Sequence, residues 1–109
     1  MASILVVEDR AGTHELLRSA LVIAGHDVVM SGPAVPSGRF DLAVVDWRGA
    51  STPSLVGEAR RRASRVVLYS DVPEEELSAR AREAGATGYL SRKQSARALL
   101  EAVQRLLKP

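Results

Sequence analysis

At 109 residues, with 46% hydrophobic and 26% charged side chains, the chain has the length and balance of one soluble globular domain, with no room for a second. It contains no cysteine, which excludes disulfides, zinc–thiolate sites, iron–sulfur clusters and thiol catalysis, and its two histidines, His14 and His26, are too few for a histidine-rich metal site. The formal net charge of +2 is too mild to imply direct nucleic-acid binding, no apolar run approaches the ~18–20 residues of a membrane span, and the first residues do not form a signal peptide.

Ser3–Val7 is an uninterrupted apolar run of the kind found in strands buried on both faces of a parallel sheet, and it ends in the acidic pair Glu8-Asp9. Leu16, Leu17, Ala20, Leu21 and Ala24 then mark one face of a helix that Gly25 stops. Asp27–Met30 reads as a second strand. The next segment, Ser31–Phe40, carries Gly32, Pro33, Pro36 and Gly38 and has no helical period. It is also shorter than the roughly dozen residues that a parallel crossover usually takes, so a loop or one tight turn is expected there.

Leu42–Val45 gives a third strand, ending in Asp46-Trp47. Thr52-Pro53 has the form of a helix N-cap followed by proline at the first helical position, and opens a short helix through about Arg62. Val66–Tyr69 is a fourth strand, ending in Ser70-Asp71. Glu74–Ala84 is a helix closed by Gly85, and Asp71-x-x-Glu74 has the form of a capping box at its start. Gly88–Ser91 makes a short fifth strand, and Ala96–Leu107 a last helix with apolar residues on one face. Arg60, Arg61, Arg62 and Arg65 form a basic cluster, read as a solvated helix end or as a docking patch for an acidic partner.

Strands alternating with helices predict a doubly wound α/β fold with a parallel sheet and helices on both faces. In such a sheet the site lies at the carboxyl ends of the strands. Glu8, Asp9, Asp46 and Ser70 all end strands and are expected to gather there. Three carboxylates brought together repel unless a cation joins them, and hard oxygen ligands suit Mg²⁺.

At this point the sequence resembles the receiver domains of two-component response regulators, the CheY-like family. The resemblance rests on four motifs in order: Ile4-Leu5-Val6-Val7-Glu8-Asp9, Phe40-Asp41-Leu42-Ala43-Val44-Val45-Asp46-Trp47, Val66-Val67-Leu68-Tyr69-Ser70, and Glu83-Ala84-Gly85-Ala86-Thr87-Gly88-Tyr89-Leu90. It implies a five-stranded parallel sheet of order 2-1-3-4-5. It also implies phosphoryl transfer to Asp46 from a histidine kinase, a phosphotransfer protein or a small phosphodonor. Glu8, Asp9, Asp46 and the backbone carbonyl of Arg48 are then the Mg²⁺ ligands, and Ser70 contacts the phosphoryl group. Ser70 and Tyr89 form the switch. The face made by the family's helix 4, strand 5 and helix 5 meets a downstream protein. The resemblance further implies a cytoplasmic protein that does no catalysis beyond promoting its own phosphorylation and dephosphorylation.

The sequence departs from the family at several points. The lysine that usually follows the fifth strand is replaced by Arg92, with Lys93 one step later; since successive residues alternate in direction, one of the two is expected to reach the site, and Arg92 is favoured. The family's second helix is shortened or absent, and the loop after Asp46 is short. Asp71 stands where the family prefers a very small residue. Trp47 reads as local packing or a partner contact, His14 as a surface residue or part of a kinase-docking helix, and His26 as a turn residue. A degenerate receiver that binds a partner without phosphorylation is the alternative function; an enzyme on the same fold is disfavoured, because no G-x-G-x-x-G or Walker A pattern occurs.

Overall fold

The computed structural model describes residues 2–7, 15–32, 34–46 and 52–108. Its elements run β1 (Ser3–Val7), α1 (Glu15–Ile23), β2 (Asp27–Ser31), β3 (Phe40–Asp46), α2 (Thr52–Arg60), β4 (Ala63–Ser70), α3 (Glu74–Ala84), β5 (Gly88–Ser91) and α4 (Ala96–Leu107). The strands form one parallel sheet in the order β2-β1-β3-β4-β5.

The apolar runs of β1, β3 and β4 sort into two layers by simple alternation. Ile4, Val6, Leu42, Val44, Val67, Tyr69 and Leu90 pack with Leu17 and Leu21 of α1 and Leu99 and Val103 of α4. Leu5, Val7, Ala43, Val45, Val66 and Leu68 pack on the other face with Val56 and Ala59 of α2 and Leu77 and Ala81 of α3. A strand covered on both faces needs apolar residues at every position, which is why these runs are unbroken.

Helix ends follow local chemistry. After α1 the chain turns at Gly25 (φ 92°), whose N–H donates to Val22 while that of His26 donates to Leu21, a Schellman closure. At the end of α3, Gly85 (φ 80°) does the same, with Ala86 reaching back to Ala81. The Ser95 hydroxyl accepts from the N–H of Ala98 at 3.2 Å and caps α4. The expected capping box at Asp71 does not form. The N-cap of α3 is Pro73, without a side-chain cap bond, and Glu74 is the first helical residue instead of the third. Proline disfavours helical backbone in the residue before it, so Val72 cannot join the helix that a cap at Asp71 requires.

Other boundaries also differ from the sequence reading. β4 begins at Ala63, three residues early, because Ala63 pairs with Phe40 and Arg65 with Leu42 despite the polar Ser64 and Arg65. α2 ends at Arg60, and Arg61 and Arg62 form the turn into β4. Thr52 lies within α2 as its first residue and is fully buried. Between β2 and β3 no helix occurs among the described residues; the Ser31 hydroxyl donates to the carbonyl of Ala34.

The basic cluster divides by role. Arg60 donates to the Gly85 carbonyl at 2.9 Å and Arg65 to the Lys108 carbonyl at 2.7 Å, so each sets a cation at the C-terminal end of another helix. Arg61 and Arg62 are exposed. His26 accepts the N–H of Ala2 on Nδ1 at 3.2 Å, and so ties the turn after α1 to the start of β1.

Candidate functional site

The site is built where β3, β4 and β5 end. Register sets it: Asp46 lies opposite Tyr69, and Tyr69 lies opposite Leu90. Leu42 and Val44, Val67 and Tyr69, and Leu90 share the α1/α4 face. Asp46 continues the alternation of β3, and Arg92 that of β5, just past the strand's last residue. Three neighbouring strands thus bring an acid, a phenol and a guanidinium to one point.

The side chains meet there. An Arg92 Nη donates to Asp46 Oδ1 at 2.5 Å, with the two side chains 29% and 14% exposed. The guanidinium carbon stands over the Tyr69 ring, 5.1 Å from its centroid, a cation–π distance. The main chain of Arg92 is fixed as well, its N–H donating to the Ser70 carbonyl at 2.8 Å. Burial pushes the Tyr69 phenol above its ordinary pKa; the charge of Arg92 and its hydrogen bond to the phenol pull the other way, and Asp46 adds to the rise. The phenol is therefore neutral, and Arg92 balances the carboxylate.

The other candidates fall as follows. Ser70 is buried at the end of β4, and its hydroxyl accepts a long, 3.4 Å bond from the N–H of Val72. Lys93 is exposed and lines a groove of about 320 Å³ at the β5 edge with Glu74, Tyr89, Ser91, Gln94 and Arg105. Arg92, not Lys93, shares the point with Asp46. The Tyr89 hydroxyl donates to Glu74 Oε1 at 2.9 Å, toward solvent, and that bond, more than the slight burial, raises its pKa. Asp71 is exposed. Glu8, Asp9, His14, Trp47 and Arg48 lie outside the described residues, and among the described residues no group of three or more acidic, histidine or cysteine side chains gathers to hold a metal. β1 does bring Val7 beside Val45 of β3, and Glu8-Asp9 follow Val7 in the sequence.

Sequence reading gave Tyr69 no role. Its signal was present: a phenol among aliphatic residues in a strand buried on both faces. Only the β3–β4 register puts it beside Asp46.

A parallel doubly wound sheet of order 2-1-3-4-5 defines the flavodoxin/CheY-like architecture. The solved structures most relevant to it are CheY-like response-regulator receiver domains, and the likeness spans nearly the whole chain. A response regulator from Thermotoga maritima superposes with a TM-score of 0.81 at 22% identity, over 96% of each chain. The chemotaxis response regulator CheY4 of Vibrio cholerae gives 0.76 at 19% identity, over 97% of this chain and 98% of that one. A CheY-like receiver domain protein from Methanospirillum hungatei JF-1 gives 0.77 at 20% identity, over 98% and 94%. At these identities the likeness establishes the fold. No protein-family model matches the sequence, and no curated protein matches it.

Proposed function

We propose that this chain is a receiver domain of a two-component phosphorelay, in which Asp46 accepts a phosphoryl group from a histidine kinase, a phosphotransfer protein or a small phosphodonor. One observation carries the reading: a carboxylate ends the central strand with a guanidinium at hydrogen-bond distance. That pair joins a nucleophile to a cation able to receive the charge of the group it would accept. A carboxylate oxygen attacks phosphorus, the donor's leaving group departs, and an acyl phosphate forms on Asp46. Such transfer is governed by positioning and by stabilising the charge on the equatorial oxygens. Arg92 can grip two of those oxygens through its planar fork, and the buried Ser70 hydroxyl, one residue beyond Tyr69, can donate to another.

The donor chemistry fits Mg²⁺: Asp46, Glu8 and Asp9 supply hard carboxylate oxygens and Arg48 a backbone carbonyl. Bound there, the ion would neutralise phosphoryl charge and orient the incoming group. Phosphorylation adds roughly two negative charges at the strand ends. Ser70 and Tyr89 then act as the switch, with Tyr89 leaving Glu74, so that the face formed by α3, β5 and α4 changes for a downstream protein. Exposed Asp71 adds negative charge near the strand ends and slows labelling by small phosphodonors. No helix among the described residues is long and apolar enough to cross a membrane; the cytoplasmic setting is what the resemblance implies.

The test is intact mass after incubation with Mg²⁺ and acetyl phosphate or phosphoramidate. A single phosphate adduct, lost in Asp46→Asn, is the expected result. No adduct from any donor, with an amide spectrum unmoved by beryllofluoride, refutes it and leaves the receiver that works without phosphorylation, the reading that Arg92 in place of lysine, Asp71 and the altered loops favour in the sequence.

A further inference from the structure

The Asp46–Arg92 pair does not stand alone; it rests on an aromatic ring that its own strand register brings into place. We propose that Tyr69 is a positioning residue that clamps Arg92 across Asp46, making the arginine a latch that an incoming cation or phosphoryl donor must displace from the carboxylate. The proposal rests on the reading of Asp46 as the acceptor.

Several constraints act on Arg92 together. Its main-chain N–H is held by the Ser70 carbonyl, its guanidinium bonds Asp46 Oδ1 and the Tyr69 phenol, and the same guanidinium lies over the Tyr69 ring. Tyr69 itself has little freedom, being 2% exposed and packed in the α1/α4 core with Val44, Leu90 and Leu99. A rigid ring under a planar cation restricts the rotamers of a long side chain and holds its fork on the acid. Lysine, a compact and strongly hydrated charge on a flexible stem, would pair with Asp46 without the stacking. Arginine at position 92 and tyrosine at position 69 therefore act as one device. Its effect is to keep Asp46 neutralised at rest, both as a nucleophile and as a metal ligand.

The first measurement needs no metal and no phosphate. In ¹⁵N–¹H spectra of the metal-free protein, the Arg92 guanidinium should give resolved Nη–H signals, because rotation about its C–N bonds is hindered. In Tyr69→Leu these should collapse to a rotationally averaged signal like that of an exposed arginine, while Tyr69→Phe, which keeps the ring, should stay closer to the parent. A folded Tyr69→Leu protein with unchanged Arg92 signals overturns the proposal. Should Tyr69→Leu fail to fold, Arg92→Lys serves instead. It keeps the charge and loses the stack, and should bind Mg²⁺ about fivefold more tightly or better, the equilibrium worth of one partly desolvated cation–π contact. Equal or weaker Mg²⁺ affinity in Arg92→Lys overturns the latch. The two readings separate cleanly. Resolved, Tyr69-dependent Arg92 signals in a protein that never takes phosphate remove the acceptor and keep the clamp. Phosphorylation of Asp46 with Arg92 signals indifferent to Tyr69 removes the clamp and keeps the acceptor.

Discussion

Replacing Asp46 by asparagine tests whether the end of the central strand is a repulsive acidic pocket or a compensated pair. Sequence alone puts three carboxylates there, and a pocket of like charges gains stability when one is neutralised. The structure pairs Asp46 with Arg92 at 2.5 Å, with 14% of the acid's side chain and 29% of the arginine's exposed. A hydrogen bond between charged groups contributes about 1.5–3 kcal/mol. Asparagine retains an oxygen that can accept from Arg92, and solvent reaches the guanidinium, so the loss should be roughly 1–2 kcal/mol, well short of the 3–5 kcal/mol typical of breaking a fully buried pair. For a domain near this size that lowers Tm by about 5–15 °C. Urea denaturation followed by far-UV circular dichroism, in metal-free buffer at neutral pH, gives the number. A double-mutant cycle with Arg92→Gln should return a coupling of about 1 kcal/mol or more, since the two side chains touch. A rise in Tm for Asp46→Asn, or a coupling near zero, would refute the compensated pair and restore the acidic pocket.

Gly85→Ala should destabilise by about 1 kcal/mol, because a left-handed backbone penalises a β-carbon, and the nearest atom at that carbon's position, an Arg60 Nη at 3.6 Å, adds no clash. Gly57→Ala, within α2 with open space at the new methyl, should stabilise by about 0.5–1 kcal/mol; both are read by urea denaturation, and equal signs would contradict the assignment. Tyr69 ionises above the ordinary value of 10.0 because burial disfavours the phenolate. Between that value and its higher folded-state pKa the folded chain keeps a proton that the unfolded chain has lost. Its contribution is thus full below the unfolded pKa and declines as pH rises through the folded one. Stability measured upward from pH 10 should fall, and Tyr69→Phe should flatten the fall; a slope unchanged by the substitution counts against the burial argument.

How much the sequence disclosed depends on what each feature needs. The strands and the helix faces are written in local periodicity, so β1, α3, β5 and α4 stand at the bounds their patterns predict. Asp46 is visible because it ends a recognisable run, and Arg92 only through the resemblance, which puts a basic residue after the fifth strand. What local reading misjudged was decided by a neighbour. Asp71 has the side chain of a cap, and Pro73 vetoes it through backbone sterics. Ser64 and Arg65 read as loop, and pairing with β3 makes them strand. Tyr69 acquires its place only from the register of two strands separated by a helix, and no window along the chain contains that information.

β2 is a thinly covered margin of the sheet. β2 ends the sheet, and two of its apolar residues, Val29 and Met30, are 42% and 39% exposed, whereas β3 and β4 each bury four or more consecutive residues. In native-state hydrogen exchange such an arrangement divides the protein into units of unequal protection. The β2 amides should exchange through a low-energy opening that spares the rest, and those of β3 and β4 only through global unfolding. Asp46 and Tyr69 belong to the slow unit. Breathing at the lightly covered margin therefore does not loosen them.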